Sequence, residues 1–209
     1  MSGMESCRCD RSVANYVSIG PRRGWFRITP DVLAQLVLDD VFRDYCLVER
    51  KTHRYRLMFD IDLKPHRAYS ALIQGKELEI TNRVVESVVT VLGRVRDDVG
   101  DDLRYVLADN TVPDNHGVHL HFPGITVDEA LHRRILSAVI DLCRASDLGL
   151  GDHWDDIVDG SVARGNALRV LYFQKDGGHY RPNPARSTYP VPETPGEQIR
   201  LCLCRIEGS

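Results

Sequence analysis

Residues 55–63 read YRLMFDIDL, and this stretch decides the fold class. Its large apolar side chains alternate with Met58, Asp60 and Asp62. Successive side chains of an extended strand point to opposite faces of a sheet. The stretch therefore predicts a strand that packs one apolar face on a core and holds two aspartates side by side on the other.

Two aspartates on neighbouring positions of one face favour a hard divalent cation. Unpaired carboxylates held close together repel and shift each other's pKa. Mg²⁺ or Mn²⁺ relieves this repulsion because hard cations prefer carboxylate oxygen. The alternative is that Asp60 and Asp62 are ordinary solvated acids at the end of a strand, since acidic side chains are mostly exposed.

Residues 117–122, GVHLHF, repeat the same alternation. One face is apolar, and the other carries Gly117, His119 and His121. Pro123 and Gly124 predict the end of this strand. Histidine here can bind metal, relay a proton or donate to a phosphate, and the His-x-His spacing also allows zinc. The alternative is a pair of half-exposed histidines on the surface of a sheet.

Residues 157–175, IVDGSVARGNALRVLYFQK, form the third segment. A short apolar lead ends at Asp159, a Gly-containing stretch follows, and residues 168–173 predict another strand. Asp159 can add a third carboxylate, and Arg169 and Lys175 can neutralise a triphosphate. Solvated surface charges are the alternative for both cations.

In this order, the three segments resemble the motifs of the archaeo-eukaryotic primase superfamily. The resemblance is closer to its primase-polymerase branch, which includes the primases of herpesviruses and of large nucleocytoplasmic DNA viruses, and it covers residues 47–175. Gly117 stands where the family's Ser-x-His motif has serine. This resemblance implies an α+β fold: an RRM-like antiparallel sheet that carries the acidic site, with a smaller α/β module packed beside it.

The resemblance also implies roles for individual residues. The catalytic, metal-binding carboxylates would be Asp60, Asp62 and Asp159, holding two Mg²⁺ or Mn²⁺ ions. The nucleotide-binding residues would be His119, Asn166, Arg169 and Lys175. Further residues that could line the site are Gly117, His121 and Arg164. The catalytic domain would span residues 1–185, and residues 186–209 would form a C-terminal tail.

The remaining pattern predicts the other elements. Thr29 and Pro30 are typical of a helix start, and Thr126 with Glu129 matches a capping box. The predicted elements are a strand over 16–19, a helix over 30–45, a hairpin of 47–49 with 55–63, a helix over 76–98, a strand over 104–108, a helix from Thr126 to Ser146, and a late strand over 198–206 in an otherwise loose tail.

We therefore expect a DNA-dependent primase or primase-polymerase that makes short primers on single-stranded DNA from nucleoside triphosphates, with a helicase or another replisome component as a partner. Two alternatives stay open. A metal-dependent nuclease or phosphoesterase would use the same acids with His119 and His121, without added nucleotides. A non-catalytic nucleic-acid-binding replication module would not need the intact acidic set.

Bulk composition agrees with a globular protein. The chain has 209 residues, 27% charged residues and a net charge of −3, which excludes a globally basic nucleic-acid coat. It contains no apolar run of transmembrane length and no signal-peptide core, so we expect an intracellular protein without membrane partners. A viral source would place it in the host nucleus or cytoplasm. The Cys7/Cys9 and Cys202/Cys204 spacings are narrower than those of structural zinc sites, so structural zinc is not expected.

Overall fold

The computed structural model describes residues 3–39, 44–63, 67, 69–112, 117–146, 148–175 and 177–206, with only the backbone of residues 166 and 167. The strands are β1 Tyr16–Ser18, β2 Gly24–Phe26, β3 Leu47–Arg50, β4 Tyr55–Ile61, β5 Val106–Asn110, β6 Val118–Val127, β7 Asn166–Arg169 and β8 Tyr180–Pro182. The helices are α1 Pro30–Leu38, α2 Ser70–Ile73, α3 Glu77–Arg94, α4 Arg96–Val99, α5 Glu129–Arg144, α6 Trp154–Ile157 and α7 Pro195–Cys202.

The strands form two antiparallel sheets. Sheet 1 has the order β2-β1-β3-β7, and sheet 2 has the order β4-β6-β5-β8. Every strand pairing in both sheets is antiparallel. The predicted α+β class and antiparallel sheet are thus confirmed.

Sheet 2 lies between two apolar layers. On one face, Phe59 of β4 and Leu120 of β6 share a core cluster with Val88 of α3 and Val139 of α5. This arrangement follows from the amphipathic pattern of both helices, whose apolar residues recur at three- and four-residue steps. On the other face, Val106 of β5 belongs to a second cluster.

The second cluster joins sheet 2 to sheet 1. It includes Leu47 of β3, Leu33 of α1 and Ile199 of α7. Thr29 starts α1 as predicted, because its side chain accepts a hydrogen bond from the Val32 amide and Pro30 takes the first helical position. The layers are therefore two helices, sheet 2, a shared core, and sheet 1 with α1 and α7.

The predicted hairpin of residues 47–49 with 55–63 is wrong. Strand β3 pairs with β1 and β7, whereas β4 pairs with β6. Residues 51–54 therefore connect two sheets and do not form a hairpin turn. The two strands diverge because β3 packs in the second cluster at Leu47 while β4 packs in the first at Leu57.

Two predicted boundaries near residue 126 also differ. Strand β6 continues through Pro123 and Gly124 to Val127, with a register shift opposite residues 56 and 57 that accommodates the interruption. Helix α5 starts from Asp128, whose carboxylate accepts a hydrogen bond from the Leu131 amide, and not from a capping box at Thr126.

The C-terminal segment is a packed helix where a strand was predicted. Thr194 accepts a hydrogen bond from the Glu197 amide, and Pro195 occupies the first helical position. The Thr194 hydroxyl also donates to the Glu197 carboxylate, and these start signals outweigh the alternating pattern that follows. Strand β7 likewise spans residues 166–169, ahead of the predicted 168–173.

The other predicted elements agree in outline with the structure. Strands β1 and β5 and helix α3 lie where they were predicted, and α1 ends at Leu38, before the predicted residue 45. Within the described ranges, every helix is too short or too polar to span a bilayer.

Candidate active site

The three predicted carboxylates meet at one edge of sheet 2 through the backbone. Asp60 of β4 lies opposite His119 of β6. On the other side of β4, the Asp159 amide donates to the Asp60 carbonyl at 2.9 Å, and the Asp62 amide donates to the Ile157 carbonyl at 2.7 Å. The apolar segment before Asp159 is therefore hydrogen-bonded to the end of β4. This pairing places the backbone of the third acid beside the first two.

Two of the carboxylates lie close to a tyrosine that the sequence analysis did not include. Burial and the negative charge of Asp60 raise the pKa of the Tyr180 hydroxyl, with a smaller contribution from Asp62. The Asp60 side chain is 24% exposed and Asp62 is 9% exposed. Asp60 is thus partly open to solvent, Asp62 is nearly buried, and both lie near the buried ring of Tyr180.

The Asp159 carboxylate is engaged locally. It caps the turn of residues 160–164 by accepting hydrogen bonds from the Ser161 amide at 2.7 Å and the Ser161 hydroxyl at 2.8 Å. No group of three or more His, Cys, Asp or Glu side chains in the described part of the chain is arranged to hold a metal ion. The donor chemistry fits a hard cation, but a three-carboxylate set requires Asp159 to turn away from Ser161.

His119 is a buried, neutral imidazole. Burial, and then the electrostatic influence of the nearby His121 ring and Arg169 guanidinium, hold its pKa well below the ordinary value. Its Nε2 lies 3.9 Å from Asp60 Oδ1, which is too long for a hydrogen bond, and with a neutral ring the contact is not an ion pair. Its ring stacks on Tyr180 with centroids 3.4 Å apart and an angle of 17°.

His121 is also buried and lies two residues along the same face of β6. Burial lowers its pKa to about 4, and it makes a hydrogen bond to the backbone of Cys202. Its ring centroid is 5.9 Å from that of His119. Both rings present a buried nitrogen that has no hydrogen-bond partner among the described atoms: Nδ1 of His119 and Nε2 of His121.

Arg169 reaches this region from sheet 1. Its backbone pairs with Val48 of β3, its guanidinium donates to the Gly178 carbonyl at 3.2 Å, and the guanidinium carbon lies 5.1 Å from the centre of the Tyr180 ring. The structure therefore brings together a cation from one sheet and the acid–histidine pair from the other, with Tyr180 between them.

The other predicted site residues occupy different positions. Lys175 is exposed and lines a separate cavity of about 550 Å³ together with Arg23. Arg164 is exposed at the end of the turn that Asp159 caps, and Gly117 is buried just before β6. Asn166 begins β7, and its side chain lies outside the described atoms. The loop residues 113–116 also lie outside the described part.

Tyr180 is the site residue that sequence reasoning missed. It follows the third segment, in a stretch for which the sequence predicts no strand, and no spacing there marks it. Its placement follows from pairing: β8 adds to the edge of sheet 2 with Tyr180 opposite Asn110 of β5. Only the position of β8 in the sheet shows that this ring covers His119.

A comparison with protein families gives an independent result. The model of the C962R protein N-terminal AEP domain matches residues 16–185, which include the three acids, both histidines and Tyr180. No curated protein matches the chain. The AEP type is the archaeo-eukaryotic primase type, so the resemblance in the three segments is confirmed at the level of the superfamily. The family match suggests primase-type nucleotidyl transfer. The chain belongs to the family of C962R-type N-terminal AEP domains.

Proposed function

We propose that this chain is the catalytic domain of a DNA-dependent primase or primase-polymerase that adds nucleotides from nucleoside triphosphates on a single-stranded DNA template. One observation supports the proposal. Asp60 and His119 form a cross-strand pair, and the backbones of Asp62 and Asp159 lie at the same edge of the sheet. Carboxylates and a neutral donor side by side suit a reaction that needs charge neutralisation and positioning more than a side-chain nucleophile.

The acidic, neutral and basic side chains of the site have different proposed roles. Asp60 and Asp62, with Asp159 turned from Ser161, would hold Mg²⁺ or Mn²⁺, and two such ions would activate the attacking hydroxyl and steady the pyrophosphate that leaves. Neutral His119 offers an N–H to a phosphate oxygen without repelling a cation nearby. Arg169 adds a permanent positive charge at the triphosphate. Asn166 stays a candidate for the same pocket, whereas Lys175 would contribute only from the separate cavity that it lines.

The test is nucleotide incorporation by the whole chain. Unprimed single-stranded DNA, labelled nucleotides and Mg²⁺ or Mn²⁺ should yield short new chains. The double variant Asp60→Asn/Asp62→Asn keeps the size of both side chains and removes the charge, and we expect it to abolish incorporation. Binding of Mn²⁺ can be measured by electron paramagnetic resonance, because the signal of the free ion disappears when the ion binds. The affinity for Mn²⁺ should be lower in the same variant.

Other outcomes identify the alternatives. Extension of a supplied primer without new chains would assign a polymerase that does not initiate. Shortening of the template in the absence of nucleotides would assign the nuclease and contradict the proposal. Incorporation that survives the double substitution would show that these acids are not catalytic.

A further inference from the structure

Four arginines converge on a cleft that is separate from the acidic site. The cleft has a volume of about 580 Å³, and its described lining comprises Asn15, Tyr16, Arg27, Ile28, Thr29, Pro30, Glu49, Arg56, Arg200, Leu203, Arg205 and Ile206. The arginines come from three distant parts of the chain: the segment after β2, strand β4, and helix α7 with the residues that follow it. In a chain of net charge −3, this is a local concentration of positive charge.

The acidic groups in and beside the cleft neutralise only part of that charge. Glu49 is the one acidic residue in the described lining, and its carboxylate is buried and accepts hydrogen bonds from the amides of Cys204 and Arg205. Arg200 pairs with Asp31, whose side chain is 82% exposed, so solvent screens that pair. Two guanidiniums have no carboxylate partner among the described residues: Arg27 and Arg56.

Two of the arginines are held in place by the backbone. Arg56 donates to the carbonyls of Arg200, Leu201 and Leu203 at the end of α7. Arg205 donates to the carbonyl of Arg50. Because carbonyls orient these guanidiniums without neutralising them, the charges stay available to a ligand. The start of α1 at Thr29 and Pro30 also lines the cleft, and the helix dipole there adds to the positive potential.

The cleft is separated by shared side chains from a small cavity beside His121 and Arg169. Glu49 and Leu203 line both the cleft and a small cavity that His121 and Arg169 line on the other side. A ligand that lies in the cleft would therefore be on the side of Glu49 and Leu203 that faces away from His121 and Arg169.

We propose that this arginine cleft binds the phosphate backbone of a single-stranded nucleic acid. Guanidiniums match phosphate oxygens in charge and geometry, and phosphate contacts position a strand without reading its sequence. A nucleoside triphosphate fits less well, because the metal ion that accompanies it needs a free carboxylate, and the only described acid of the lining is engaged by two amides. The proposal extends the proposed function by naming a second contact with the strand.

Binding in EDTA tests this proposal without any chemistry. The anisotropy of a fluorescein-labelled oligothymidylate of about 20 nucleotides, longer than the usual site of one small single-strand-binding domain, reports its affinity for the whole chain. We expect the double variant Arg27→Ala/Arg200→Ala to bind at least about tenfold more weakly. The slope of the logarithm of its binding constant against the logarithm of salt concentration should be shallower by about 0.7 for each phosphate that the variant no longer neutralises. Arg56 is left intact because it also caps α7.

The matched control is Arg94→Ala/Arg134→Ala, which removes the same charge from exposed positions on α3 and α5. This control should bind nearly as the parent does, and Arg27→Lys/Arg200→Lys should retain most of the affinity. Equal binding by the cleft variant and the control would overturn the proposal, provided that both unfold at the parent's temperature.

Two more measurements separate this proposal from the proposed function. Asp60→Asn/Asp62→Asn should bind the oligothymidylate at full strength, and a loss of binding there would place the strand at the acidic site and overturn the cleft. Unlabelled oligothymidylate should displace the probe. Displacement by a nucleoside triphosphate at equal phosphate concentration would overturn the assignment to a strand.

Discussion

At the scale of single residues, the stacked pair of His119 and Tyr180 determines the protonation state of the histidine in the site. The tyrosine ring covers the imidazole, and the imidazole is neutral because burial lowers its pKa. A neutral ring donates one N–H and accepts at the other nitrogen, so the direction of its hydrogen bond to a phosphate depends on its tautomer. Tyr180 excludes water from one face and thereby keeps His119 from acting as a cation.

Asp159 has two roles that a pair of substitutions can separate. Asp159→Ala removes the cap on the turn of residues 160–164, and we expect it to lower the free energy of unfolding by about 1 kcal/mol even in EDTA. Asp159→Ser restores a capping oxygen but cannot supply a carboxylate. Thermal unfolding and nucleotide incorporation, measured on both variants, give the comparison.

The serine variant should be as stable as the parent and inactive. Activity in Asp159→Ser would remove Asp159 from the set of metal ligands and leave it with a structural role only. As a control, Asp155→Ser changes an exposed acid of α6 and should leave activity unchanged.

At the scale of elements, the turn between β7 and β8 positions Arg169. Lys175 and Gly178 exchange backbone hydrogen bonds of 2.8 and 3.0 Å, and Gly177 between them adopts a φ of 81°, which favours glycine. Gly178 also packs against the end of β5, where an added Cβ would lie 2.5 Å from Val112 Cγ2 and 2.8 Å from Asn110 Oδ1.

We therefore expect Gly178→Ala to lower the free energy of unfolding by about 1–3 kcal/mol, because the β-branched Val112 cannot move aside easily. Since the Gly178 carbonyl accepts from Arg169, the affinity for nucleotide should fall as well. Chemical denaturation and nucleotide titration check both effects. The same substitution at Gly93, in open space on α3, should be neutral or stabilising. A fully stable Gly178→Ala protein would show that Val112 and Asn110 yield to the added methyl group.

The period-two pattern predicted the elements that carry the acids and the histidines, because each has one buried face. It could not predict that Asp60 lies opposite His119, since that register depends on a shift between Arg56 and Leu57. It failed at α7 because Ile199, Leu201 and Leu203 alternate with Arg200 and Cys202 as in a strand, although the stronger signal was the helix start at residues 194–197.

At the scale of the whole molecule, three buried histidines make the fold sensitive to acid. Burial lowers the pKa of His121 to about 4 and that of His132 to about 3, and it holds His119 well below 6.5. As the pH falls below about 6.5, the unfolded chain therefore takes up protons that the folded chain does not. The free energy of unfolding decreases from that pH down towards the folded pKa values.

The unfolding temperature should accordingly drop steeply between pH 7 and pH 4. His132 lies on the helix side of sheet 2, with its ring edge-to-face to Phe59. The variant His132→Phe should reduce that slope without changing the metal requirement, and it also removes the hydrogen bond with Tyr55, which lowers stability at every pH. An unchanged slope in this variant would show that His132 does not resist protonation in the folded state.

The division of the site between two sheets also has a consequence for the order of events in folding. Sheet 2 can pair β4 with β6 before β7 exists, but Arg169 joins only when β7 closes against β3, far away in the chain. Contacts between distant segments form slowly, because the loop between them must first lose its conformational freedom. Asp159 depends on an equally distant contact with Asp60, so we expect the three acids and the arginine to come together late in folding.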